Sequence, residues 1–459
     1  MRTSTDAEPM TVGQPTRADS ANAHFEAARE VLVAGISGTA RENAALGQAM
    51  LAASGEGPYI IAPDGRRFLD YFSGFGSVIL GYDHAGVRGA IEQALDMGII
   101  HGPETVYQEQ LARRIVNLVP SAEMVRFANS GSEATMAAIR LARAHTQRAK
   151  ILKFEGHFHG IHEHVLYNTH PEPRTVTPGE IVETSADSAG IPSAFADAVI
   201  VAPWNDLSAV THAFARHGSD IAAVIMEPIN YNAGALLADI GYLRAVREIT
   251  RDHGSVLIFD EVLSGFRTGT DCAQGFYGVT PDVTLLGKAV ANGVPLAVIA
   301  GRREVMSELA PLGQSAHSGT YSGHIFGVKA ALATLDALEA PGVFDGETGL
   351  LAMSERLYNG LRDIFEHRDI RCRVQGVGPR FALYFGLDPD VEPRAYQDIA
   401  GHDSDTLKRF ARACYARGVY FHVYEVVVGH HGFGTAHDPE VIDDTLNRVD
   451  AACVDLMAD

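Results

Sequence analysis

"SVLIFDEVLSGFR" (residues 255–267) and "DVTLLGKAV" (residues 282–290) decide how this chain folds. Each holds a short run of mainly apolar residues that ends on charge, at Asp260-Glu261 in one and at Lys288 in the other. A short run that is apolar on both faces describes a strand covered by helices on both sides of a parallel sheet. The same signature recurs in "MVRFAN" (124–129), "AKILKFEG" (149–156), "ADAVIVAP" (196–203), "IAAVIMEP" (221–228) and "PLAVIAG" (295–301). Helical periodicity separates the runs, as in "QEQLARRIVNLV" (108–119) and "GYLRAVREITRDHG" (241–254). The alternation predicts an α/β fold with a mainly parallel, doubly covered sheet.

Outward from this centre the chain divides into four parts. Residues 1–20 are polar and read as a disordered tail with no signal-peptide core. Residues 21–84 form an N-terminal segment expected to pack with a smaller domain. It contains an amphipathic helix pattern in "ANAHFEAAREVLVAG" (21–35) and a hairpin signal around Pro63-Asp64-Gly65. Residues 85–340 form the large domain, closed by the helical "FGVKAALATLDALEA" (326–340), and residues 341–459 form the smaller α+β domain.

A net charge of −20 over 459 residues argues against nucleic acid and anionic membrane as partners, since both demand a basic face. The four cysteines, Cys272, Cys372, Cys414 and Cys453, form no close pair. They predict neither a disulfide scaffold nor a C-x-x-C metal site, and they suit a reducing cytoplasm.

Lys288 raises the chemical question, because burying an ammonium is costly unless it is paired, neutralised or used. Asp260 stands at the C-terminal end of a central strand, where α/β sheets bind ligands. In "FANSGSEATMAAIRLARAH" (127–145), Gly131 permits close backbone approach and Ser132 lies near a helix start, where N–H groups and the dipole attract anions. Ser130 and Glu133 also fit a capping box, a purely structural reading. A phosphate cradle, a carboxylate and a desolvated lysine on three strand ends are what pyridoxal 5′-phosphate requires. The G-x-G-x-x-G fingerprint of a nicotinamide enzyme is absent, and "GFGSVILG" (74–81) reads as a turn at the cleft wall.

With "NSGSEATMAAIRLAR", "KFEGHFHG", "MEPINYNAG", "FDEVLSGFR", "PDVTLLGKAVANGVPLAVIAGRREVM" and "SGTYSG" in this order, the chain resembles the class III, fold-type I pyridoxal-phosphate aminotransferases. Within that family it is most similar to the glutamate-1-semialdehyde aminomutase branch. The resemblance implies a role for each matching residue. Lys288 would bind the cofactor covalently and shuttle protons, and Asp260 would hold the pyridine nitrogen. Val262 and Phe158 would flank the ring, with His159 beside it; Phe158 stands where a stacking tyrosine is usual. Ser130, Gly131 and Ser132 would hold phosphate, and Thr320 would reach it from the partner subunit of a homodimer. Glu227 and Asn232 would line the cofactor side, and Arg41 would pair with a substrate carboxylate.

Three stretches depart from the mutase pattern. A longer "NTHPEPRTVTPGEIVETSADSAG" (168–190) replaces its short gating segment. A histidine-rich "YEVVVGHHGFGTAH" (424–437) replaces its glutamate-bearing segment. Ala291 and Asn292 stand where glycines are usual after the lysine. The expected activity is therefore transamination from an amino-acid donor, glutamate for choice, to a carboxylate-bearing keto or aldehyde acceptor in specialised metabolism. A mutase or racemase is the alternative. The histidines of "HFHGIHEH" (157–164) are expected beside the cofactor and not on a metal.

Overall fold

The computed structural model describes residues 21–100, 102–171, 175–425 and 428–458. The expected tail at 1–20 lies outside them. The centre is a seven-stranded sheet of β1 (Met124–Ala128), β2 (Lys150–Phe154), β3 (Val199–Ala202), β4 (Ile221–Met226), β5 (Val256–Glu261), β6 (Val283–Leu286) and β7 (Ala297–Gly301). Their order is β1-β7-β6-β5-β4-β2-β3. β7 runs antiparallel to both its neighbours, and the remaining pairs are parallel.

Alternation along the buried strands explains why they read as continuous apolar runs. Val256 and Ile258 join the core on the face covered by α1 (Gly131–Thr146), while Leu257 and Phe259 join the core on the opposite face. Every position of β4 and β5 is buried. Each fully buried branched or aromatic side chain contributes about 1.5–3 kcal/mol. Parity then carries Asp260 onto the α1 side and Glu261 onto the other. The opposite face is closed by α2 (Leu207–His217) and α3 (Ile240–His253). Asp206 caps α2 through Ala209 N–H, and Asp239 caps α3 through the N–H groups of Gly241 and Tyr242.

The expected hairpin is present, with Ile61 opposite Arg67. Its strand Arg67–Asp70 also pairs in parallel with Val419–Tyr420, so the two ends of the chain share one sheet. A second small sheet joins Cys372–Val377, Arg380–Phe385 and His431–Gly432. The first helix is shorter than its apolar pattern predicts: it spans Ala21–Arg29 and stops there. Val31 and Val33 are 83% and 90% exposed, so the stripe beyond Phe25 and Ala28 finds no core to cover. No helix among the described residues is long and apolar enough to cross a membrane.

Candidate active site

A cleft opens at the C-terminal ends of the parallel strands. It is lined by Ser130, Gly131, Ser132, Phe158, His159, Gly160, Glu227, Asn232, Asp260, Val262, Leu263 and Lys288. Ten residues singled out in the sequence thus converge from five strand ends. Two do not: Thr320 and Arg41 are exposed and outside the cleft lining. The Arg41 guanidinium lies 5.8 Å from the Phe75 ring centroid.

Asp260 is buried and doubly held. Its Oδ1 accepts the Val262 N–H at 3.1 Å, and its Oδ2 lies 2.8 Å from His159 Nδ1. The carboxylate only accepts, so the neutral imidazole carries its proton on Nδ1. Burial lowers the His159 pKa against the pull of Asp260, which keeps the ring neutral. Lys288 is half-buried in a left-handed conformation, φ 45°. Burial, then the charge of Arg380, lowers its pKa to about 8, with Glu227 and Asp260 opposing. A lysine so placed has a neutral, nucleophilic fraction of about a tenth at pH 7, far above that of an exposed lysine.

Glu227 moves the other way. Burial and the charge of Asp260 raise its pKa to about 8. Its Oε1 accepts the Phe158 N–H at 2.9 Å and its Oε2 accepts Asn232 Nδ2 at 2.8 Å. Two carboxyls side by side are thereby separated in role, Asp260 beside a histidine and Glu227 near its own proton exchange.

The helix start departs from the expected capping box by one residue. Ser130 Oγ accepts the Glu133 N–H at 3.2 Å, but the Glu133 carboxylate accepts the N–H of Asn129, at 2.9 Å, and not that of Ser130. The first helical bond runs from Ala134 N–H to Ser130 O, so the N–H groups of Gly131 and Ser132 precede the ladder. Glycine fits closely at one position here and is required at another. A Cβ on Gly131 would stand 3.1 Å from Val262 Cγ1, and one on Gly160, at φ 102°, would stand 2.5 Å from Ser132 Oγ. An anion-binding helix start, a held carboxylate and a half-buried lysine fit pyridoxal phosphate. Ser130, Gly131 and Ser132 would take its phosphate, Asp260 its ring nitrogen and Lys288 its carbonyl carbon.

The histidines serve neighbours one by one. His157 Nδ1 accepts the Glu227 N–H at 3.0 Å, His162 Nε2 pairs with Thr135 Oγ1 at 3.0 Å, and His437 Nδ1 accepts the Gly434 N–H at 3.3 Å. Among the described residues no group of three metal-ligating side chains gathers. Asn292, the departure after the lysine, adopts the left-handed conformation (φ 45°) that a glycine would. Its side chain also accepts the Leu80 N–H at 2.9 Å and donates to Gly81 O at 3.0 Å.

Sequence reasoning placed a turn at the cleft wall in residues 74–81 but missed what holds it beside Lys288. Residues 73–76 form a left-handed turn with φ of 53°, 57°, 60° and 79°. Such a turn is strained at its non-glycine positions and persists only when clamped. Asp70 accepts the N–H groups of Phe72 and Ser73, Ser73 Oγ donates to Gly432 O, and Arg267 donates to Gly76 O. Arg267 and Arg380 are both buried beside it. The available signal for Arg380 was the one that exposed Lys288: a lone cation at the edge of an apolar strand, in "RFALYFGL" (380–387).

Comparison with known proteins agrees with this geometry. A family model described as aminotransferase class-III matches residues 42–424. The glutamate-1-semialdehyde 2,1-aminomutase of Nitrosomonas europaea is 36% identical over 427 residues, covering 93% of this chain and 95% of that protein. Among solved structures, an omega-transaminase from Sphaerobacter thermophilus superposes with a TM-score of 0.88 at 29% identity, covering 95% of this chain and 98% of that one. A transaminase with PLP bound gives 0.84 at 27%, covering 95% and 97%. With a family match across most of its length and a cleft built for pyridoxal phosphate, the chain belongs to the class-III aminotransferases and is a fold-type I enzyme that uses this cofactor.

Proposed function

We propose that this enzyme is a two-substrate aminotransferase. An amino-acid donor, glutamate for choice, gives its amine to a carboxylate-bearing keto or aldehyde acceptor, in specialised metabolism. When bound, pyridoxal phosphate supplies an electrophilic carbonyl and an electron sink. Lys288 Nζ would hold the cofactor covalently until the donor's amine displaces it, and the freed Nζ would then move a proton from the substrate Cα. Asp260, fixed by His159, keeps a proton on the ring nitrogen. Val262 and Phe158 flank the ring, and Glu227 with Asn232 completes the cofactor side. Arg41 pairs with a substrate carboxylate.

The observation that supports transamination over mutation is how the described residues of the stretch 168–190 are held. A mutase must hold its intermediate behind a mobile lid. Here Asn168 exchanges hydrogen bonds with Ser185 and its Nδ2 donates to Glu183 O, Thr169 N–H donates to Asp187, and Val182 N–H donates to Val201 O on β3. Its described residues 168–169 and 182–187 are tied to one another and, through Val182, to the sheet edge. The similarity to a glutamate-1-semialdehyde aminomutase sustains the second reading, a mutase or related racemase.

The same proposal makes the enzyme a cytoplasmic homodimer of two domains, divided near residue 340. Its four buried, free cysteines suit a reducing compartment, and the exposure of Thr320 suits a residue that serves a partner's site. The test is to convert the cofactor with glutamate, offer a panel of keto acids and aldehydes, and identify products by mass. Ping-pong kinetics with separate donor and acceptor is expected. Efficient conversion of glutamate-1-semialdehyde to 5-aminolevulinate with no added donor overturns it.

A further inference from the structure

Asp70 ends the strand Arg67–Asp70 and is 1% exposed. Its Oδ1 accepts the Phe72 N–H at 2.8 Å, its Oδ2 accepts the Ser73 N–H at 2.9 Å, and the Tyr82 hydroxyl donates to the same Oδ2. A buried carboxylate is normally matched by a cation. These three donors are neutral, and two of them lead into the left-handed turn at 73–76. Ser73 and Phe75 hold φ of 53° and 60° without being glycines, so the turn keeps its form only while something outside it holds it.

The turn is part of the cleft's frame. It packs against the turn Lys288–Ala291 on one side and the strand His431–Gly432 on the other. A Cβ on Gly76 would stand 2.9 Å from Cδ1 of Leu263, a residue of the cleft lining. Further along, the Leu80 N–H donates to Asn292 Oδ1 and Asn292 Nδ2 donates to Gly81 O, so the segment is tied on again just past Lys288. A shift at Ser73 is therefore passed to Leu263 and Lys288 by direct packing.

The charge state of Asp70 decides how firmly the turn is held. Backbone N–H groups only donate, so the ionised carboxylate accepts at both oxygens. A proton on Oδ2 makes that oxygen a donor to Tyr82 and weakens its hold on the Ser73 N–H. Tyr82, Arg380, Tyr420 and His437 are the titratable and charged groups that face Asp70. Burial raises its pKa to about 6, against the hydrogen bonds of Tyr82, Phe72 and Ser73 and the charge of Arg380.

We propose that Asp70 is a positioning residue of this enzyme: its ionised carboxylate holds the turn at 73–76 in the form that fixes Lys288 and Leu263 in the cleft. Asp70 lies outside the cleft lining, so it acts only through the turn. The role is the same whether the amine goes to a second substrate or returns to the first.

The test follows the holoenzyme by hydrogen exchange of the peptide spanning 72–76, corrected for the intrinsic pH dependence of exchange, and by visible circular dichroism of the bound cofactor. Both are read on either side of about pH 6, where wild type should show the two signals changing together. Tyr82→Phe takes a donor from the ionised form and should raise both midpoints by about one pH unit. Asp70→Asn turns an amide N–H toward a backbone N–H. Exchange at 72–76 should then be about tenfold faster above the wild-type midpoint, and the cofactor signal should stay in the low-pH form throughout. A role confined to stability would lower the melting temperature of both variants and leave the cofactor signal and its midpoint in place, which overturns the assignment. A wild-type enzyme without the midpoint, or midpoints that Tyr82→Phe does not move, overturns it as well. If Asp70→Asn does not fold, by melting and by the visible absorbance of bound cofactor, wild type and Tyr82→Phe decide.

Discussion

His159 Nδ1 stands 2.8 Å from Asp260 Oδ2, with both side chains buried, and one residue sets the orientation of the other. This is the arrangement in which a neighbouring residue orients and tunes a group that holds a ligand. His159→Leu should leave Asp260 held by the Val262 N–H alone and weaken the cofactor about 10–100-fold, by analogy with supporting partners of other bound groups. Titration of apo-protein with pyridoxal phosphate, followed by absorbance, checks this. His159→Asn, which can still donate at the Nδ1 position, should lie between the two. An unchanged affinity in both variants would contradict the role.

Lys288→Ala should abolish turnover, and borohydride should no longer fix cofactor to the chain. Peptide mapping after reduction reads the site directly. Fixation at another lysine of the variant would show the wrong residue had been assigned.

Glu227 gives a pH signature in apo-protein. Its folded pKa is raised to about 8 from 4.5, chiefly by burial. The folded state therefore binds more protons than the unfolded state between those values. The stability that Glu227 contributes is present in full below pH 4.5 and is lost as pH rises through about 8. Glu227→Gln, a neutral isostere, should match the wild type in melting temperature near pH 5 and exceed it by a few degrees above pH 8. Parallel melting curves across that range would show that Glu227 is ionised in the fold.

Asn292 combines a left-handed backbone with two hydrogen bonds to the loop at 80–81. Asn292→Ala should lose about 1–3 kcal/mol, since strain returns and the Leu80 N–H loses its acceptor. Asn292→Gly removes the strain and keeps the other defect, so it should lose less. Chemical denaturation orders the three proteins, and a glycine variant weaker than the alanine variant would argue against backbone strain.

Thr320 tests the shared site of a homodimer. Mixed Thr320→Ala and Lys288→Ala subunits should regain activity, because one site in each heterodimer keeps both groups. Mixing without recovery, once subunit exchange is confirmed by mass, would place Thr320 outside any partner's site.

The sequence by itself determined the sheet and three anchors of the site. Strands buried on both faces are apolar at most positions, so they stand out, and a charge at such a strand's end stands out with them, as Lys288 and Asp260 do. Glycine at 131 was legible because it stands at a helix start, where a small residue lets the backbone come close to what it faces, here Val262. Periodicity reports how one element is buried but not which distant element faces it. Tertiary structure alone therefore decided that His159 holds Asp260, that Glu133 caps back to Asn129, and that the turn at 73–76 is clamped from Asp70, Arg267 and Gly432. It also left Arg41 and Thr320 outside the cleft of a single chain. Arg380 and His430 are separated by fifty positions, and their bond depends on how two strands of a small sheet dock against that turn. Such contacts are fixed by packing between elements, which no spacing along the chain encodes.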